Sequence, residues 1–166
     1  VAPRVMAVVD PVRLTIDGGT TDEFGSREAS LWPHDVPNEG ARPLSLGREV
    51  WIERSDVSVD APRGWKRFAP GAVIRLRHGP VVHCDAIDVD DAGIVTSLRA
   101  HVIDPDVANR KVAGVVHWVD VATGVRAHFR LIDRLFADPD PELDEVDITE
   151  KINPASLVER HGYVEA

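Results

Sequence analysis

Apolar and polar residues alternate in short runs along much of the chain. Val12, Leu14 and Ile16 alternate with Arg13, Thr15 and Asp17, the period of a strand with one buried face. Residues 49–53 (EVWIE) and 81–86 (VVHCDA) read as further strands, and residues 94–102 as a long one entered through the turn Asp90-Asp91-Ala92-Gly93. Residues 4–10 form a short apolar run punctuated by Pro11, Asp17-Gly18-Gly19 is a turn, and Ser55-Asp56 caps at most one helical turn. Residues 20–44 are polar and rich in Pro and Gly with no convincing period, the pattern of a functional or mobile loop.

After a break at residues 105–109, residues 111–120 (KVAGVVHWVD) and 125–136 (VRAHFRLIDRLF) are expected to pair through Ala122-Thr123-Gly124. Residues 138–147 read as an acidic, solvated loop. Asn153-Pro154 looks like the start of a short helix, with Asn as cap, Pro in the first helical position and Gly162 close behind. Many short strands, frequent turns and almost no helix predict an all-β fold. Two small barrels, residues 1–106 and 107–166, suit the break.

One strand differs from the rest. In residues 72–77 (AVIRLR), Ile74 and Leu76 point one way while Val73, Arg75 and Arg77 point the other. The two arginines stand about 6.6 Å apart on the open face, at about 3.3 Å per residue. Guanidinium forks at that spacing can grip neighbouring phosphates or base edges bidentately. The surrounding stretch, residues 62–83, adds Arg63, Lys66 and Arg67, interleaved with Trp65 and Phe68, and contains no Asp or Glu. The competing readings are a solvated strand face for the arginines and core packing for Trp65 and Phe68.

Charge makes this stretch more pointed. The 166 residues hold 28 Asp and Glu against 19 Lys and Arg, a formal charge of −9. A basic island in an acidic chain is a candidate polyanion site, because a local field attracts phosphate whatever the net charge. The single cysteine, Cys84, permits no intrachain disulfide and favours a cytoplasmic setting. No apolar run approaches the roughly 20 residues that span a bilayer, and no signal-peptide pattern opens the chain. The opening VAPRVMAVVD reads as the middle of something longer.

Catalytic patterns are not evident. There is no Gly-rich phosphate loop and no Gly-x-Ser-x-Gly elbow. His78, His83, Cys84, His101, His117 and His128 are not at zinc-finger spacings, so no metal site is expected. Asp90 with Asp91, and Asp138 with Asp140, sit in turn-rich acidic loops where solvation explains them. The chain is therefore expected to hold no catalytic residue and no cofactor.

Six ordered stretches carry a family resemblance: RVMAVVDPVRL at residues 4–14, REVWIERSD at 48–56, WKRFAPGAVIRLR at 65–77, GVVHWV at 114–119, RLIDRLF at 130–136, and INPASLV with GYVE near the end. Together they resemble the anticodon-binding region of bacterial-type glutaminyl-tRNA synthetases. The resemblance implies two barrels of the ribosomal-protein-L25-like type, the second one incomplete here. It also implies attachment to a class I catalytic domain that uses ATP to join glutamine to its tRNA.

By the same resemblance, Arg4 is similar to the residue that reads the middle anticodon base, Arg67 to that for the third and Arg75 to that for the first. Arg77 and Lys66 resemble phosphate or sugar contacts, and Arg63 and Trp65 are candidate additional ones. Gly64 departs from relatives with a polar side chain there, and residues 31–38 (LWPHDVPN) are a variant of a shorter His-Pro-Asn segment. The implied partner is a tRNA anticodon loop, not DNA or a membrane, and the expected state is a monomer. The alternatives are a glutamyl-type synthetase, a carbohydrate-binding β-module stacking sugars on Trp32, Trp51, Trp65 and Trp118, and a stand-alone ribosomal-RNA-binding barrel. The HWV segment and the basic strand favour the glutaminyl type.

Overall fold

The alternating runs fold as strands with their apolar sides on one core. The computed structural model describes residues 2–104, 112–138 and 147–166. Its strands, in chain order, are β1 (Ala7–Val9), β2 (Pro11–Asp17), β3 (Gly25–Ser30), β4 (Ala41–Leu46), β5 (Glu49–Glu53) and β6 (Val73–Leu76). They continue as β7 (Val81–Val89), β8 (Val95–Val102), β9 (Gly114–Val116), β10 (Val119–Asp120), β11 (Val125–Ile132) and β12 (Leu157–Val164). Helix among the described residues is limited to 3-10 turns at Thr21–Glu23, Arg54–Asp56 and Ile148–Lys151. The all-β expectation holds.

Seven strands form one sheet in the order β10-β5-β2-β8-β7-β6-β9. Its inner face buries Val12, Leu14 and Ile16 of β2, Val50 and Ile52 of β5, and Ile74 and Leu76 of β6. The two end strands are separated in sequence only by His117 and Trp118. Six gaps of about 4.8 Å would set the ends of a flat sheet about 29 Å apart. Three residue steps reach only about 10 Å. The sheet must therefore curl until its ends nearly meet, and Trp118, fully buried, lies at the joint.

A second sheet, in the order β1-β12-β11, attaches to the outside of the first. Asp10 turns the chain between β1 and β2 with φ 51°, a left-handed conformation that a short polar residue tolerates. The attachment is aromatic: Trp51 of β5 stacks on Tyr163 of β12, with ring centroids 4.9 Å apart. Buried Asp120 adds a polar tie. Its carboxylate accepts from the Gly47 backbone N–H and from Ala122 and Thr123, joining the β4–β5 and β10–β11 connections.

Three local expectations give way to tertiary pairing. Residues 111–120 and 125–136 do not pair with each other in the described parts. Instead β9 runs parallel to β6, β10 antiparallel to β5, and β11 pairs with β12. Burying Trp118 bends the apolar run into two strands. Residues 20–44 are not an irregular loop, since β3 and β4 make a hairpin there. Of the six β3 residues only Ala29 is buried, so its period was too faint to read.

Asn153-Pro154 starts no helix. The Asn153 carboxamide accepts from the Ala155 N–H and the Asn153 carbonyl from Ser156, closing a turn into β12. That strand is held between β11 and β1, which outweighs a local cap. The sequence-derived break at residues 105–109 and most of the acidic loop, residues 139–146, lie outside the described residues.

Gly114 of β9 marks a close crossing. A Cβ there would overlap the Lys66 backbone carbonyl oxygen. Gly114→Ala is expected to cost about 1–3 kcal/mol of stability as overpacking, read as a lowered midpoint in urea unfolding followed by tryptophan fluorescence.

Candidate nucleic-acid interface

Strand β6 places its side chains as the alternation implies. Ile74 and Leu76 are fully buried, Val73 and Arg75 are half-buried on the outer face, and Arg77 is exposed. The backbone under Arg77 is held on two sides. Its N–H donates to the Val116 carbonyl at 2.9 Å, and its carbonyl accepts from the Trp118 indole at 2.8 Å. Beyond it the chain reverses through His78 at φ 59°, closed by the Gly79 N–H on the Leu76 carbonyl.

That reversal forms one wall of a pocket of about 640 Å³. Arg4 and Arg77, both singled out from sequence, line it together with Arg42 of β4. Trp32 and His34 form another wall, and His117 closes the side nearest β9. The Arg4 backbone N–H donates to the Leu31 carbonyl at 2.7 Å. This fastens the N-terminal segment to the 31–38 stretch.

The pocket is cationic but not saturated with positive charge. Arg42 pairs with Glu165, both largely buried, and His117 lies 3.7 Å from Glu53. His78 registers the balance. Burial lowers its pKa from 6.5, and the charges of Arg77 and Arg42 lower it further against an opposing effect of Glu165. A proton is unwelcome there first because burial strips water from the charged ring, and second because the neighbouring guanidinium groups repel it.

The remaining sequence-derived residues lie outside this pocket. Arg75 is half-buried, opposite Val115 of β9, and is itself engaged within the chain. Lys66 and Arg63 are exposed on the 62–71 loop. That loop crosses β9 at Gly114, next to the strand that carries Arg75. Arg67 is partly spent, its Nε donating to Asp56 at 2.9 Å. Phe68 is a core residue, fully buried. Trp65 is half-buried and its indole N–H donates to the Phe68 carbonyl at 3.0 Å. The core reading therefore holds for Phe68 and covers part of Trp65.

Four arginine or histidine residues of the pocket were not among the binding candidates read from sequence: Arg42, His34, His78 and His117. Arg42 sits on β4, inside the stretch read as a loop. His34 belongs to the variant LWPHDVPN segment and His117 to HWV, so both lay in stretches already noted without a role of their own. The lone cysteine takes no part. Burial, with Asp85 adding to it, pushes the Cys84 thiol up to about 11, far from a reactive thiolate.

Comparison with known proteins identifies the family. A family model described as the anti-codon binding domain of class I tRNA synthetases (E and Q) matches residues 2–103, and a second with the same description matches residues 115–166. A glutamine–tRNA ligase of Idiomarina loihiensis is 40% identical over 170 residues, covering 99% of this chain and 30% of the relative. One from Deinococcus radiodurans is 41% identical over 167 residues, covering 89% and 19% respectively. One from Ralstonia pickettii is 39% identical over 161 residues, covering 93% and 28%. The chain thus spans less than a third of the length of these relatives. An outward basic strand, a cationic pocket and family matches over both halves converge on one assignment: the chain belongs to the anticodon-binding domains of the class I tRNA synthetases for glutamate and glutamine.

Proposed function

We propose that this chain holds the anticodon loop of a glutamine-accepting tRNA, as the RNA-reading part of a glutamine–tRNA ligase. The observation that carries the reading is the convergence of Arg4, Arg42 and Arg77 on one pocket beside the outer face of β6. Unpaired loop bases can be splayed into such a site, held by cations on their phosphates and read on their exposed edges.

In this proposal Arg4 reads the middle base, Arg75 the first and Arg67 the third. Arg77 and Lys66 hold phosphate or sugar, with Arg63 and Trp65 at the margin. Because Arg4 and Arg77 share a pocket, the base read by one and the backbone held by the other belong to the same nucleotide or to neighbours. Arg67 reads its base with the part of its fork that Asp56 leaves open.

The proposal extends to the whole protein: a cytoplasmic, monomeric enzyme whose class I catalytic domain consumes ATP. It also keeps the division into residues 1–106 and 107–166, the second lending edge strands β9 and β10 to the sheet of the first. No helix of the described residues is long and apolar enough to cross a membrane. A sugar-stacking role has less support, since Trp118 is fully buried and Trp51 is stacked on Tyr163.

The direct experiment is an anisotropy titration with glutamine-type and glutamate-type anticodon stem-loops. Tighter binding of the glutamine type is expected, and equal binding would leave only the family-level reading. With four cations on unpaired RNA, log affinity should fall against log salt with a slope of about −3, from about −0.7 per contact. Arg77→Gln should flatten that slope by about 0.7 and weaken all loops alike. Arg75→Ala should instead cost more on the cognate loop than on one with a changed first base. Equal losses would make Arg75 a phosphate anchor.

His78 supplies a pH test. Its folded pKa lies below 6.5, so as pH falls the unfolded chain binds this proton first. Its contribution to stability is fully present above 6.5 and is lost as pH falls through the lowered folded value. A phosphate in the pocket favours the protonated form, so loop affinity should rise from about pH 7 to about pH 5.5. His78→Asn, which suits the left-handed backbone, should remove that rise.

A further inference from the structure

A second cluster of side chains lies on the outer face of the seven-stranded sheet and lines no part of the cationic pocket. His83 of β7 and His101 of β8 are direct register partners. Their rings lie side by side, centroids 5.1 Å apart and tilted by 39°. The β7–β8 register shifts between Cys84 and Ala86. Asp85 is therefore the extra residue of a β-bulge, a device that re-aims a side chain. Its carboxylate turns toward the two imidazoles. Asp85 Oδ1 lies 2.9 Å from His83 Nδ1, and both Asp85 oxygens lie 2.8 Å from His101 Nδ1.

We propose that His83, Asp85 and His101 form a three-ligand site for a divalent transition-metal ion of the nitrogen- and carboxylate-preferring kind, with Zn²⁺ as the type case. One ligand atom from each residue falls within 4.8 Å of the others. Zinc–nitrogen and zinc–oxygen bonds of about 2.0–2.2 Å place tetrahedral ligand atoms about 3.3 Å apart. The carboxylate–imidazole separations are thus within about 0.5 Å of the required edge, and small side-chain rotations open the space.

The ring orientation fits the same chemistry. A carboxylate only accepts hydrogen bonds, so each Nδ1 that contacts it carries the hydrogen. Metal binding exchanges those N–H donors for lone pairs. The hydrogen moves to Nε2 through solvent, which frees the Nδ1 lone pair for the metal. Side-chain exposures of 36%, 39% and 45% for His83, Asp85 and His101 leave a solvent-facing position open on the metal. Two paired strands position all three residues, so little ordering entropy is lost on binding. Sequence spacing could not show this, because His101 is brought to His83 only by strand pairing.

The test is calorimetric titration of the whole chain with Zn²⁺, with Mg²⁺ as control, together with ¹⁵N NMR of the histidine rings. Expected are one Zn²⁺ per chain, no Mg²⁺ uptake, and Nδ1 resonances of His83 and His101 that change from the protonated to the coordinated range. His83→Ala, His101→Ala and Asp85→Asn should each weaken uptake about tenfold or more, while His128→Ala should leave it unchanged. Absence of stoichiometric uptake, or uptake indifferent to these variants, overturns the proposal. If a variant loses its β-sheet circular dichroism, the wild-type ring spectra decide instead. Coordination at His128 and His161, or at Nε2 of His83 and His101, also overturns it.

Discussion

One covalent constraint organises the molecule. Two adjacent short strands, β9 and β10, sit at opposite ends of the same seven-stranded sheet, so the sheet cannot lie flat. Burial of Trp118 at the joint stabilises the curl, and its indole N–H is satisfied by the Arg77 carbonyl. The residue that locks the sheet end thus also anchors the backbone of a pocket arginine. Closing the sheet and building the pocket are the same event.

The site follows from that closure through ordinary strand chemistry. Because β6 buries Ile74 and Leu76, its cations have nowhere to go but outward. The return of β9 beside β6 brings His117 to the pocket wall. The β3–β4 hairpin contributes Arg42 from another direction. Acids trim the resulting field: Glu165 against Arg42 and Glu53 near His117 in the pocket, and Asp56 against Arg67 outside it. The depressed His78 pKa reflects burial first and the charges of Arg77 and Arg42 second. A cationic pocket on an acidic protein suits selective capture of a polyanion better than indiscriminate attraction.

The tryptophans illustrate how residue type alone underdetermines role. Trp118 is core, Trp51 is the stacking contact between two sheets, Trp65 caps a loop carbonyl, and Trp32 faces the pocket. All four were stacking candidates by residue type, with core packing as the competing reading, favoured for Trp51 by its apolar strand. What separates them is whether a neighbouring element covers the ring, a matter of packing between segments distant along the chain.

From sequence alone, the alternation in β2 and β6 was enough to locate those strands and the faces they bury, because burial on one side imposes a period of two, and β5 was legible as a strand without its buried face. The same reading put Arg75 and Arg77 outside, and the ordered motifs pointed to RNA. Tertiary structure alone decided which strand lies beside which. Residues 111–120 part from 125–136, Asn153 begins a turn instead of a helix, and residues 20–44 become a hairpin. It also joined Arg4 to Arg77 across more than seventy residues and set His101 beside His83. The physical reason is that periodicity records whether a residue is buried, while the identity of its neighbour depends on hydrogen bonds and contacts made across the closed sheet, which no local pattern encodes.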